Sequence, residues 1–289
     1  MLIFAAIISI LFHLLLFLYY MKASVIISVY KNTDALRAVL DSLAVQSEKD
    51  FEIIISEDGQ SQEMSRFVHT YSFKNPYLHL TQPDEGWRKN RALNRAIMAA
   101  KSAWLIFIDG DCVLHPRFIE HHLLLSSPKA IVAGKRVKLN RSLSTLLQNN
   151  PKDYMSVTRV LRQCLWGSKS GNGFIEEGFF ISRHSLLGFI PALRRMYQLK
   201  GCNMSFSKAA ILEINGFDED YIRPAIGEDI DLTWRFIAAG YHLVSARNLA
   251  VQYHLYHKEN WTDQGENIRI MEEKQKRNEY ICRNGINKL

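Results

Sequence analysis

The sequence predicts an α/β protein built on a parallel sheet with helices on its faces. Between Ser24 and Ile108, short β-branched runs alternate with helical patterns of about ten residues, the pattern of successive βαβ units. Three of those runs close on polar residues, namely Tyr30, Glu57-Asp58 and Asp109-Gly110-Asp111. Ligands of open parallel sheets bind beyond the carboxyl ends of the strands, where these residues fall. A length of 289 residues with 47% hydrophobic side chains is enough for a substantial core.

The elements follow in order. Residues 24–29, Ser-Val-Ile-Ile-Ser-Val, read as a buried parallel strand. Residues 34–46 carry Leu36, Val39, Leu40 and Leu43 at helical spacing. A second strand spans 51–55 and ends in Ser56-Glu57-Asp58-Gly59. Residues 62–71 read as helix, 77–80 as a brief third strand, and 88–100 as a helix whose apolar side holds Leu93, Ala96 and Ile97. A fourth strand, 104–108, delivers Asp109-Gly110-Asp111. Beyond Asn140 the pattern is less regular, and residues up to Lys200 mix aromatics, glycines and basic groups. A strand-like run at 201–206 precedes a short helix from Lys208. Gly227-Glu228-Asp229 opens another helix reaching Ala239. Strand candidates near Leu243 and Val251 lead to His254 and His257, and a charged tail from 259 to 280 reads as helix.

The first 20 residues are almost wholly apolar, enough to span a bilayer. The nearest charges, Lys22, Lys31 and Arg37, follow the run and would place the body on the cytoplasmic side of the membrane. A competing reading is an over-extended start, because only about three residues would join bilayer to first strand. The expected organisation is a possible anchor at 1–20, one domain at 21–258 and a charged helix at 259–289. Lys and Arg number 36 against 29 Asp and Glu. That excess suits phosphate-bearing ligands or a membrane surface. Nucleic acid is not expected, since no recognised nucleic-acid motif is present. Four scattered cysteines with no CxxC pair point to neither a zinc site nor a disulfide framework.

Asp109 and Asp111, one residue apart at a strand tip, can share a divalent ion and a ribose hydroxyl. Hard oxygen donors favour Mg²⁺ or Mn²⁺. Asp58, with Glu57 beside it, can accept from a nucleobase or a ribose. Arg88 and Lys89 fall in the first turn of a helix, where cations oppose the dipole. A bound anion, such as a diphosphate, would offset that cost. Glu228 and Asp229 at a helix start could take a proton from an attacking hydroxyl. His254 and His257 could both face one ion on a helical turn, whereas on a strand only one could ligate. Trp166, Phe174, Phe179 and Phe180 could offer faces for sugars or pack in the core.

Together these motifs resemble the family 2 glycosyltransferases of the GT-A fold, a Rossmann-like, mixed but mainly parallel sheet flanked by helices. Ser24–Tyr30 looks like the family's opening strand, with Tyr30 at the donor site. Ser56-Glu57-Asp58-Gly59 is similar to its first acidic motif, with Glu57 in place of the usual Asp, and Asp109-Gly110-Asp111 to its DXD motif. Glu228-Asp229 resembles the later ED motif, and His257 a late metal-binding histidine with His254 a co-ligand. The segment 82–94 looks like bacterial surface-polysaccharide, lipopolysaccharide and chondroitin-type members. The resemblance implies an inverting, Mn²⁺- or Mg²⁺-dependent transfer. The donor would be a nucleotide-sugar, with UDP the commonest carrier, and the acceptor a glycan or glycolipid. By it Asp229 is the catalytic base, Glu228 contacts the acceptor, Asp58 meets uracil, Asp109 binds ribose or metal, and Asp111 holds the metal. The alternatives are a sugar nucleotidyltransferase, whose Gly-rich loop after the first strand is not matched by Tyr30-Lys31-Asn32-Thr33, and a catalytically inactive binding module.

Overall fold

The computed structural model describes residues 21–165, 171–224, 226–258 and 263–289. The candidate anchor at 1–20, Trp166 and the start of the charged tail lie outside the described residues. No helix among the described residues is long and apolar enough to cross a membrane.

The first half follows the predicted alternation: β1 (Ala23–Val29), α1 (Thr33–Leu43), β2 (Phe51–Glu57), α2 (Gln62–Thr70), β3 (Tyr77–Leu80), α3 (Lys89–Ala99) and β4 (Trp104–Asp109). Then come β5 (Cys112–Leu114), α4 (Phe118–Leu124), β6 (Ala130–Ala133), β7 (Val137–Lys138), α5 (Arg141–Asn149), α6 (Tyr154–Cys164) and the short α7 (Ile190–Leu193). The chain closes with β8 (Asn203–Ser207), α8 (Lys208–Glu213), α9 (Asp229–Ala238), β9 (His242–Ser245), β10 (Gln252–His254) and α10 (Gly265–Lys276).

The main sheet runs β3-β2-β1-β4-β8-β6-β9. Strands β3, β2, β1 and β4 run parallel to one another, β8 is antiparallel to β4 and β6, and β9 joins β6 in parallel. The sheet is therefore mixed and mainly parallel. Side chains alternate between its faces. Val25, Ile27, Ile53, Ile55, Ile106 and Ile108 pack with Leu36, Val39, Met64 and Phe118 from one helical layer. Ile26, Ile54, Leu105 and Phe107 pack with Leu93, Ile97, Ile211 and Phe236 from the other. Burial on both faces explains why these strands read as continuous apolar runs.

A second sheet, β5-β10-β7, was not expected. Its strands have two or three residues each, too few to display a period. It covers a third core of Val113, Val137 and Tyr253 against Leu147 and Leu161 of α5 and α6. The tail is not a detached charged helix. Lys274 of α10 pairs with Asp218 and Asp220. The buried guanidinium of Arg235 holds Asp231 at 3.1 Å and donates to the Tyr280 carbonyl at 2.9 Å. Asn215 donates to the carbonyls of Cys282 and Asn287.

Three buried histidines make the fold acid-sensitive. His122 sits between Ser205 Oγ at 2.8 Å and Asn203 Oδ1 at 3.0 Å, and His115 stacks on Phe180. Burial pushes His115 and His121 down to about 4 and His122 to about 3. The unfolded chain takes up these protons near pH 6.5. Between there and pH 4 it holds more protons than the folded state, so stability falls as pH falls. The melting temperature is expected to drop steadily from pH 6.5 to pH 4, and calorimetric scans across that window check it.

Candidate active site

Strand order turns back at β1, since β2 and β3 lie on one side of it and β4 on the other. Such a switch point opens a crevice beyond the strand ends. Ser28 of β1 lies in register with Asp109 of β4, so the acidic motif projects directly over this crevice. Gly110 is needed there. Its N–H donates to the Ser28 carbonyl at 2.8 Å, and a Cβ would come within 2.7 Å of Val29 Cγ1.

The two carboxylates of the motif part company. Asp111 Oδ2 lies 3.4 Å from His254 Nε2 and 3.2 Å from His257 Nε2. The two imidazole nitrogens are 3.2 Å apart. Neither a helical turn nor a plain strand brings the histidines together. His254 ends β10, and His257 lies in the irregular segment that follows, on the same side of the crevice. Burial works to raise the Asp111 carboxyl, but the two imidazoles outweigh it and hold it well below the usual range. The hydrogen bond to Asp111 in turn raises His257. One carboxylate and two imidazoles, with donor atoms all within 4.8 Å of one another, fit a divalent cation and leave positions open for ligand oxygens. Asp109 is not in this cluster. Its oxygens face Lys89 at 2.9 Å and Arg136 at 3.4 Å.

Asp58 has each of its oxygens held by one protein donor. It accepts from Gln82 Nε2 at 2.7 Å and from the Arg88 amide at 2.8 Å. The anion that the start of α3 called for is thus Asp58 itself. The Arg88 guanidinium turns back onto the Trp87 carbonyl at 3.0 Å, away from the crevice. Glu57 is buried and holds the Ser61 amide at 2.8 Å and His79 Nε2 at 2.8 Å. It organises the turn after β2 rather than facing a ligand. Tyr30 is half-exposed, and its hydroxyl donates to Asp84 at 3.2 Å. That bond ties the end of β1 to the loop before α3.

Lys89 bridges two carboxylates, Asp109 and, at 2.7 Å, Glu228. Burial would strip its proton, but the two acids outweigh that and keep it charged. Glu228 is pushed up to about 7 by burial, with Lys89 pulling the other way and Asp109 and Asp229 repelling it. Burial likewise raises Asp229, whose Oδ2 accepts from the Gly201 amide at 3.3 Å. A Cβ on Gly201 would lie 1.8 Å from Glu228 Oε1. Gly201→Ala is therefore expected to push Glu228 off Lys89 and cut turnover about a hundredfold through misplacement. The clash falls on a side-chain end, so the melting temperature should change little. Parallel turnover and melting measurements check both halves.

A cavity of about 580 Å³ lies between Tyr30, Asp58, Trp87, Asp109 and Asp111. A neighbouring one of about 980 Å³ shares Lys89, Asp109, Asp111 and His257 with it and extends to Glu228 and Asp229. Phe174 lines the larger cavity, whereas Phe179 and Phe180 pack against the third core. Sequence reasoning missed Lys135 and Arg136, which line the larger cavity from the end of β6. The signal was a basic pair following an apolar run, at a strand end searched only for carboxylates. It also missed Gln82 as the clamp on Asp58.

The model of glycosyl transferase family 2 matches residues 24–175. A second model, described as the N-terminal domain of galactosyltransferase, matches residues 192–258. The validoxylamine A glucosyltransferase of Streptomyces hygroscopicus subsp. jinggangensis is 26% identical over 234 residues, covering 78% of this chain and 53% of that protein. The hyaluronan synthase of Pasteurella multocida is 24% identical over 270 residues, covering 87% of this chain and 27% of the synthase. The chain thus spans about half or less of the length of these relatives. Among solved structures, the mannosyltransferase PcManGT from Pyrobaculum calidifontis, in complex with GDP-Man and Mn²⁺, superposes with a TM-score of 0.54 at 15% identity. That match covers 88% of this chain and 61% of the other. At that identity the likeness speaks for the fold, which is the GT-A architecture expected.

Proposed function

This chain belongs to glycosyl transferase family 2, and on that premise we propose that it moves a sugar from a nucleotide-sugar donor to a glycan or glycolipid acceptor, with inversion at the anomeric carbon. The observation that carries the reading is the convergence of Asp109, Asp111, His254, His257, Glu228 and Asp229 on two adjoining cavities at the switch point. The smaller cavity takes the nucleoside, with Asp58 and Tyr30 on the base side and Asp109 on the ribose side. The larger takes the donor sugar and acceptor.

Asp111, His254 and His257 would hold Mn²⁺ or Mg²⁺, and the imidazole donors favour Mn²⁺. Such an ion supplies charge neutralisation for a diphosphate leaving group. Lys89, fixed by two carboxylates, and Arg136 set the field around Asp109. Asp229 takes the proton from the acceptor hydroxyl as that oxygen attacks opposite the diphosphate. Glu228, held by Lys89, positions the acceptor. The acceptor belongs to cell-surface polysaccharide synthesis on the cytoplasmic face of the membrane. UDP is the first nucleotide to try.

The test is turnover of a panel of UDP- and GDP-sugars with oligosaccharide acceptors and Mn²⁺. Release of nucleoside diphosphate and an NMR-assigned anomer opposite to the donor's support the proposal. A retained anomer would sink the inverting mechanism, and no turnover with any donor would sink the enzyme reading.

A further inference from the structure

The segment from Arg183 to Tyr197, which forms part of the rim of the larger cavity, carries large apolar groups outward. Leu186 is 97% exposed, Tyr197 84% and Leu193 72%, and Leu187 and Phe189 are also exposed. Soluble proteins rarely present such side chains together, and contiguous exposed apolar patches mark interaction surfaces. The exposure does not come from a loose chain. Pro191, Met196 and Leu199 are buried beneath it. The Ile181 amide donates to the Asn248 carbonyl at 2.8 Å, and Arg194 pairs with Glu177 at 3.0 Å.

Charge decides what covers this face. From Gly178 to Leu212 the chain has no Asp or Glu. Arg183 and Arg195, both exposed, flank the apolar groups, and Lys200 follows. Leucines and a phenylalanine, bordered by arginines and a tyrosine, match the layering of a bilayer interface, with aliphatic groups below the headgroups and amphipathic ones among them. A protein partner would need an acidic rim around an apolar pocket, whereas an anionic leaflet offers both features over any area.

We propose that residues 183–197 dock this protein onto a membrane containing anionic lipid. Tyr197 and Arg195 also line the larger cavity, so docking would set that cavity against the headgroups, where a lipid-linked acceptor presents its sugar. The docking stands on the surface alone, and only the link to the acceptor rests on the transfer reading.

The experiment uses the full chain carrying Leu186→Cys, labelled with an environment-sensitive fluorophore. The four native cysteines are buried, so the introduced thiol reacts preferentially. A control label replaces Lys74, exposed beside β3 at the opposite edge of the sheet. Vesicles containing phosphatidylglycerol are expected to shift the Leu186 probe to the blue and raise its intensity severalfold. The Lys74 probe should stay unchanged, phosphatidylcholine vesicles should give a much weaker response, and salt should diminish the effect. A silent Leu186 probe overturns the proposal, whether or not the protein sediments with vesicles. A shift that grows with protein concentration in the absence of lipid also overturns it, and assigns the face to a second copy of the chain. Leu186 lines neither cavity, so turnover on a soluble acceptor reports separately on the transfer reading.

Discussion

Asp111→Ala is expected to lower turnover about a thousandfold, the scale of losing a main stabiliser of leaving-group charge. Asp111 is the only carboxylate in a cluster with His254 and His257. Its removal leaves two imidazole nitrogens 3.2 Å apart with no anionic ligand to hold a cation. Asp111→Asn should lose nearly as much, because an amide of the same shape brings no charge. His257→Ala should lose less, because His257 is half-exposed and water can take its place. None of these substitutions touches a core cluster, so circular dichroism and melting temperature should stay near wild type. The check is turnover against Mn²⁺ concentration for all three variants. A partial rescue of His257→Ala by high Mn²⁺, without rescue of Asp111→Ala, would fit the assigned weights.

Asp229→Asn is expected to lower turnover by about 10²–10⁴, the range for loss of a positioned general base, while donor affinity stays within a few-fold. Asp229 faces the larger cavity, and burial raises its carboxyl, which suits it to accept a proton. Glu228 is more deeply committed, since its charge is spent on Lys89 at 2.7 Å. Glu228→Gln should cost less in turnover and more in acceptor KM. Should the order reverse, with Glu228→Gln the dead variant and Asp229→Asn mildly impaired, the proton acceptor is Glu228. Single-turnover kinetics with donor already bound separate the two cases.

Much of the first half of the fold was legible because its strands are buried on both faces and its helices are amphipathic. The β-branched runs at 24–29 and 104–108 read as buried strands, and Leu36, Val39 and Leu40 read as one side of a helix. Within the 140–200 stretch, Asn140 and Asp153 each cap a helix by accepting from the amide three residues on. Those caps are the local signal for the two helices there. The acidic motifs lie at the crevice where the sequence placed them, but sequence could not say which carboxylates were free. Glu57 looked like half of an acidic pair and proves to be a buried anchor for His79 and the Ser61 amide. Arg88 read as an anion ligand; in the structure its amide holds Asp58 and its guanidinium bonds the Trp87 carbonyl. Lys89, next to it, is instead the cation that joins Asp109 to Glu228, and its distance along the chain from Glu228, 139 positions, is one that no local pattern reveals. Arg136 reaches Asp109 from the link between β6 and β7, a contact across the fold even though its basic pair was visible locally.

The central claim is a nucleotide site whose affinity depends on a divalent cation, and calorimetric titration of the full chain with UDP and GDP, with and without Mn²⁺, tests it most directly. One nucleoside diphosphate is expected to bind in Mn²⁺, to lose its binding on chelation, and to prefer Mn²⁺ over Mg²⁺ through the two imidazole ligands. Equal binding with and without the metal, or no binding of either nucleotide by folded protein, would contradict it.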